Sequence, residues 1–298
     1  MALYTKEEKR YNWLSHLILT FFALLCIFPF YMLIIGSFTD NALIINQGYT
    51  FFPTQLSLDA YQYMGYMADT FVRAYGITVL TTAAGTAGSL FLVSTMGYGL
   101  SRKAAPGMKV LSFLVVFTML FNGGLVSTYL IYTSVVPVKN SLWAYILPGL
   151  LLNAFHVLLM RSYVVNSIPD SLFESAQLDG AGQWTVYSQI VLPLSMPILA
   201  TIGLLVGVQY WNSWQNGLYY ITDTSLYSMM NILNRMLQDV RYLQSGAMGD
   251  YGGELMSHMP TNSVRMAIAV VGVLPILALY PFFQRYFVKG ITLGSVKG

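Results

Sequence analysis

The sequence predicts an all-α integral membrane protein with six transmembrane helices and both termini in the cytoplasm. Three observations predict it. Of 298 residues, 56% are hydrophobic and only 9% are charged, whereas a soluble domain carries roughly 25% charged residues. Mean hydropathy is +0.58, which also excludes a disordered chain. The charges are gathered between long charge-free runs, each near the roughly 20 residues a helix needs to cross the hydrocarbon core.

The runs are taken in order. The first is Leu14 to Thr39, too long for the core of a signal peptide and followed by no small-residue cleavage pattern. The second is Ala74 to Ser101, the third Val110 to Val138 and the fourth Asn140 to Met160. A long run from Gly180 to Thr222 holds an amphipathic piece and then a span near Leu194 to Tyr219, and the last span is Met266 to Gln284. A β-barrel would instead show short alternating segments. Gly85 and Gly88 in the second span favour close helix packing.

Lys and Arg set the orientation. With the N-terminus inside, ten of the fifteen basic residues and five of the twelve acids are cytoplasmic, giving +5 inside and −2 outside. Residues 40–70 and 222–263 then form outer loops. Within the second, Met229, Ile232, Leu233, Met236, Leu237 and Val240 recur at helical spacing and predict an outer helix. Gly246, Gly249, Gly252, Gly253 and Pro260 punctuate its later half. There is no basic stripe of the kind a phosphate backbone demands, so no nucleic-acid partner is expected. Cys26 and three histidines show no metal-ligand spacing.

The cytoplasmic segment 164–191 is the most informative. Pro169 ends the preceding helix. Ser171 and Glu174 have capping-box spacing, predicting a short helix from Leu172 to about Asp179. Gly180 and Gly182 stop it. A second amphipathic stretch, Trp184 to Val191, leads to Pro193, which is expected to open the fifth span. Small residues at Ser175, Ala176, Gly180, Ala181 and Gly182 would let another protein approach closely. Glu174 has a plainer reading, as a helix cap alone.

Glu174-Ser-Ala, three residues, Gly180, nine residues and then Ile190-Val-Leu-Pro193 resemble the signature loop of ABC-importer permeases, with Ser175 where the usual pattern has Ala. Gly97-Tyr-Gly-Leu-Ser-Arg102 and Asn122-Gly-Gly-Leu-Val-Ser-Thr-Tyr129 are similar to further segments of that family. Pro281-Phe-Phe-Gln-Arg-Tyr-Phe-Val-Lys-Gly290 resembles the carbohydrate branch containing the maltose-type second permease, closest to a subgroup for oligo- or polysaccharides such as alginate.

The resemblance implies a type I importer permease fold. Residues 1–69 would hold helix 1 and an outer loop, 70–290 the core permease domain with coupling loop 164–191, and 291–298 a cytoplasmic tail. It implies a second homologous permease, two ATP-binding subunits, an extracytoplasmic solute-binding protein and a carbohydrate substrate, in the bacterial cytoplasmic (inner) membrane with its lipid. Glu174, Ser175, Ala176, Asp179, Gly180, Ala181 and Gly182 would couple to the ATPase. The chain has no phosphate loop of the Gly-x-x-x-x-Gly-Lys-Ser/Thr type, so ATP and Mg are expected on the partner subunits and no cofactor or catalysis on this chain.

Tyr210, Trp211, Asn212, Trp214, Asn216 and Tyr219 crowd the outer half of the fifth span. Sugar faces stack on aromatic rings and amides bond hydroxyls. Trp211, Asn212 and Asn216, with Asn122 in the middle of the third span, are therefore substrate-path candidates. An interfacial aromatic belt, and helix packing for Asn122, are the competing accounts. His156 is expected to be a packed core histidine. A secondary transporter driven by an ion gradient is the alternative function. It normally needs ionisable groups within the membrane, whereas here Arg73, Arg161, Arg265 and Arg285 fall near span ends.

Overall fold

The computed structural model describes residues 6–102, 107–244 and 261–294. The described residues are mostly helical, with one isolated bridge between Thr39 and Leu56. They fall into two compact units, one within Met1–Ala68 and Leu233–Leu274, the other within Asp69–Ile232 and Pro275–Gly298.

The first unit begins with α1 (Lys6–Ser37), whose stretch Arg10–Ser37 is long and apolar enough to cross a membrane. From Arg10 to Phe30 its side chains are exposed, as a lipid-facing helix requires. Asp40 caps α2 (Asn41–Gln47) by accepting from the Ala42 and Leu43 amides at 2.9 and 3.1 Å. Tyr61 of α3 (Asp59–Tyr66) bonds Ser37 Oγ at 2.8 Å and packs on Phe38.

The second unit is built on α4 (Ala68–Ser101), 34 residues and unbroken. Without a hydrophobic drive between helices in lipid, close packing holds them. A methyl group at Gly85 would overlap the Tyr210 ring, and one at Gly88 would press on Leu151, so the predicted tight approach is present. The core joins Val93, Val157, Met160, Val164, Val191, Ile202, Val206 and Tyr210.

Three of the predicted spans are not continuous helices. The third is α5 (Met108–Leu120) and α6 (Gly124–Val135), bent by 119°. Asn122 therefore lies in a break, not mid-helix. Its Oδ1 accepts from Gly124 N at 2.8 Å, an Asx turn that competes with helix. The fourth run is split into α7 (Trp143–Ile146), a turn carrying Pro148 and Gly149 (φ +73°), and α8 (Ala154–Ser167). Proline removes an amide donor and left-handed glycine ends a helix, so a charge-free run here does not make one span.

The amphipathic piece and the fifth span are α10 (Gln183–Leu194) and α11 (Met196–Trp211), bent by 77°. Pro193 lies inside α10, just after a π turn at Tyr187–Val191. Pro197, at the start of α11, is the proline that opens the span. After α11 the chain breaks and continues as α12 (Gln215–Tyr220). The outer helix predicted from periodicity is α13 (Met229–Gln244). The last helix is α14 (Thr261–Gly294). The glycine-rich part of the outer loop and the end of the tail lie outside the described residues.

Candidate functional site

Two sites emerge within the second unit. The first is the loop between α8 and α11. Its short helix, α9, is Asp170–Leu178. It starts earlier than the capping-box spacing implies. Pro169, with φ −62° and ψ 136°, is the N-cap residue, and no side chain caps there. Ser171 thus sits inside the first turn, and Ser175 Oγ donates back to Ser171 O at 2.9 Å.

The helix ends in a Schellman motif. Ala181 N donates to Ala176 O at 2.9 Å and Gly180 N to Gln177 O at 3.1 Å. Gly180 takes φ +75°, where a side chain is strained. Gly182 is not a second stop but the N-cap residue of α10.

Burial sorts the predicted coupling residues. Glu174, Ser175, Asp179, Gly180 and Gly182 are exposed. Ala176 is buried and Ala181 half-buried, and both pack on the core. The exposed face instead carries Leu178, 90% exposed, and Leu172, with Trp184 on α10. These apolar side chains were not singled out in the sequence, where they read as ordinary amphipathic positions.

The loop is held against the end of α4. Tyr98 OH donates to Gln183 Oε1 at 2.7 Å, and Ser94 Oγ lies 2.6 Å from Tyr187 OH. Phe173 lies near-parallel to the Tyr98 ring at 6.3 Å, and the Arg102 guanidinium sits 4.4 Å over the Phe173 ring. Arg161 Nε donates to Leu100 O at 3.1 Å, satisfying a carbonyl in the last turn of α4.

The second site is a cavity of about 590 Å³ bounded by the α5–α6 break, the turn before α8, and the α11–α12 break. That is within the range of small-molecule sites, about 300–1,000 Å³. Asn122, Asn212 and Asn216 all line it, with Asn153, Gln209 and Gln215. All sixteen lining residues are uncharged.

Each asparagine spends one end of its amide locally. Asn216 Nδ2 donates to Pro148 O at 3.0 Å, Asn212 Nδ2 to Val208 O at 3.0 Å, and Asn153 Oδ1 accepts from Phe155 N at 2.9 Å. The other end of each faces no hydrogen-bond partner among the described residues and is open to a ligand. Trp214 and Tyr219 add ring surface. Trp211 does not line the cavity. It is 5% exposed and packs edge-to-face on Tyr75 at 5.8 Å. The breaks are what bring the amides together, since each exposes side chains that a continuous helix would spread along its length.

Comparison with known proteins assigns the chain. Residues 104–293 match the family model described as "binding-protein-dependent transport system inner membrane component". The chain belongs to this family. Both candidate sites lie inside the matched residues.

Relatives agree along the whole permease. It is 39% identical over 298 residues to the polygalacturonan/rhamnogalacturonan transport system permease protein YtcP of Bacillus subtilis, covering 98% of this chain and 100% of that one. It is 36% identical to protein LplC of the same species, covering 91% and 90%. The crystal structure of a bacterial ABC transporter involved in the import of the acidic polysaccharide alginate matches with a TM-score of 0.79 at 27% identity, covering 96% of this chain and 100% of that one. The permease is thus an all-α member of the sugar ABC-importer permease family. Asn153, Gln209 and Gln215 were missed in the sequence. Pro148-Gly149 is the turn signal that could have found Asn153.

Proposed function

We propose that this chain is the transmembrane subunit of an ATP-driven importer of oligo- or polysaccharide, crossing the bacterial cytoplasmic membrane six times with both termini inside. Its partners are a second homologous permease, two ATP-binding subunits that hydrolyse Mg-ATP, and an extracytoplasmic solute-binding protein. The observation that carries the reading is the exposed α9 face, Leu172, Glu174, Ser175, Leu178 and Asp179, anchored through Phe173 to α4. An exposed apolar side chain flanked by carboxylates suits insertion into a cleft of a partner lined with basic residues.

In this mechanism, closure of the ATPase pair pushes α9, and the push alternates access to the substrate path. The sugar passes the amide-lined cavity, where asparagine and glutamine bond hydroxyls and Trp214 and Tyr219 meet ring faces. The names of the relatives support a uronate-containing substrate. Because the lining is uncharged, this chain's share of the path reads hydroxyls rather than carboxylates. Family membership does not favour the gradient-driven alternative.

Affinity purification of the tagged chain from its native membrane in mild detergent tests the proposal. A second permease and an ATP-hydrolysing subunit should co-purify, with hydrolysis stimulated by binding protein loaded with oligogalacturonate or a neutral oligosaccharide. A solitary chain under the gentlest extraction, with no ATPase, would overturn it.

A further inference from the structure

We infer that Ser94, Tyr98 and Arg102 are positioning residues that form a lever on α4, transmitting movement of α9 and α10 into that membrane-spanning helix. The inference rests on the coupling role proposed above for α9. It gives a task to the segment Gly97-Tyr-Gly-Leu-Ser-Arg102, which neither the exposed α9 face nor the cavity uses.

Ser94 and Tyr98 are four apart on one face of α4, and Arg102, four further on, is the first residue beyond the helix, its amide donating to Gly99 O at 3.1 Å. Every one of them touches the loop. Ser94 meets Tyr187 at 2.6 Å, Tyr98 donates to Gln183 at 2.7 Å, and Arg102 lies 4.4 Å over Phe173. The loop side is equally regular. Gln183 and Tyr187 are themselves four apart on α10, and Phe173 reaches in from α9 to lie near-parallel to Tyr98. Tyr98 and Tyr187 also approach each other, with ring centroids 5.9 Å apart.

Directionality distinguishes this stripe from plain packing. Apolar contacts between helices permit sliding, whereas hydrogen bonds fix register and lose their energy within a fraction of an ångström. Two hydrogen bonds therefore tie α10 to α4 at two levels along its axis, and a cation–π contact ties α9 to the residue just beyond its end. The loop cannot shift along α4 without breaking them together. On the far side of this tie, α10 contains a π turn and then a 77° bend into α11. Both features interrupt the regular hydrogen-bond ladder of the helix. A push on α9 is thus delivered stiffly to α4, while the route to α11 is jointed.

Three variant sets separate the lever from the reading it rests on: Tyr98→Phe with Gln183→Met, Ser94→Ala with Tyr187→Phe, and Gly180→Arg. The whole importer, reconstituted in proteoliposomes with its binding protein and a labelled oligogalacturonate, is assayed for sugar imported per ATP hydrolysed. Each double variant removes both partners of its hydrogen bond, so neither is left unpaired, and assembly should be unchanged.

We expect the two lever sets to lower sugar per ATP by about tenfold, within the range of a coupling contact, with ATP hydrolysis itself kept within about twofold. Each double variant should be no worse than its more severe single variant, because the pair acts as one link. A merely structural role would lower the amount of complex and leave the ratio unmoved. An unchanged ratio in both lever sets, with Gly180→Arg uncoupled, would overturn the lever and leave α9 coupling intact. Normal transport in Gly180→Arg as well would overturn both.

Discussion

Trp211 and Asn212 are neighbours in sequence with opposite environments. Trp211 is buried against Tyr75, while Asn212 lines the cavity with its side-chain carbonyl open. Their substitutions should separate accordingly. Asn212→Ala removes a neutral hydrogen bond worth about 0.5–1.5 kcal/mol, so the KM for sugar uptake should rise about two- to tenfold with thermal stability unchanged. Trp211→Ala empties a packed site and should cost about 3–5 kcal/mol, read as a loss of detergent-extracted complex at unchanged KM. An Asn212→Ala variant with wild-type KM would remove that amide from the substrate path. Composition could not tell these two residues apart. Their spacing fits both an aromatic belt and a binding site, and only the helix end at Trp211 decides which side chain faces the cavity.

At the scale of elements, α4 and α11 approach closely at Gly85. Gly85 admits the Tyr210 ring, whose hydroxyl donates to Ile146 O at 2.9 Å. Gly85→Val should force overpacking of about 1–3 kcal/mol. The melting temperature of the purified complex should fall, and Gly76→Val, at a position with open space around it, should leave it unchanged. Equal melting temperatures for the two would contradict the packing described. Long elements were the legible ones. α1, α4 and α13 appear near their predicted positions, because charge-free length and helical spacing fix them. The breaks were less legible. Phe121–Gly123 and Asn212–Trp214 carry no proline, and a hydropathy window counts their residues as span. Spacing marks the short helix α9 but sets its start too late, because Pro169 rather than Ser171 is the N-cap residue.

At the scale of the whole molecule, the family was legible in the loop and helix ends. The cavity was legible only in part, because its walls come from segments distant in sequence. Asn153 reaches the cavity from a turn hidden within an apolar run. The proposed function divides the work between an uncharged cavity and a loop fastened to α4. Such a division suits a subunit that moves a sugar while another protein burns the fuel. Uptake by the reconstituted importer tests that claim most directly. Labelled oligogalacturonate should enter proteoliposomes only with Mg-ATP on the ATPase side and binding protein on the other, and at the same rate after ionophores collapse every ion gradient. Uptake that follows an ion gradient and needs no ATP would contradict it.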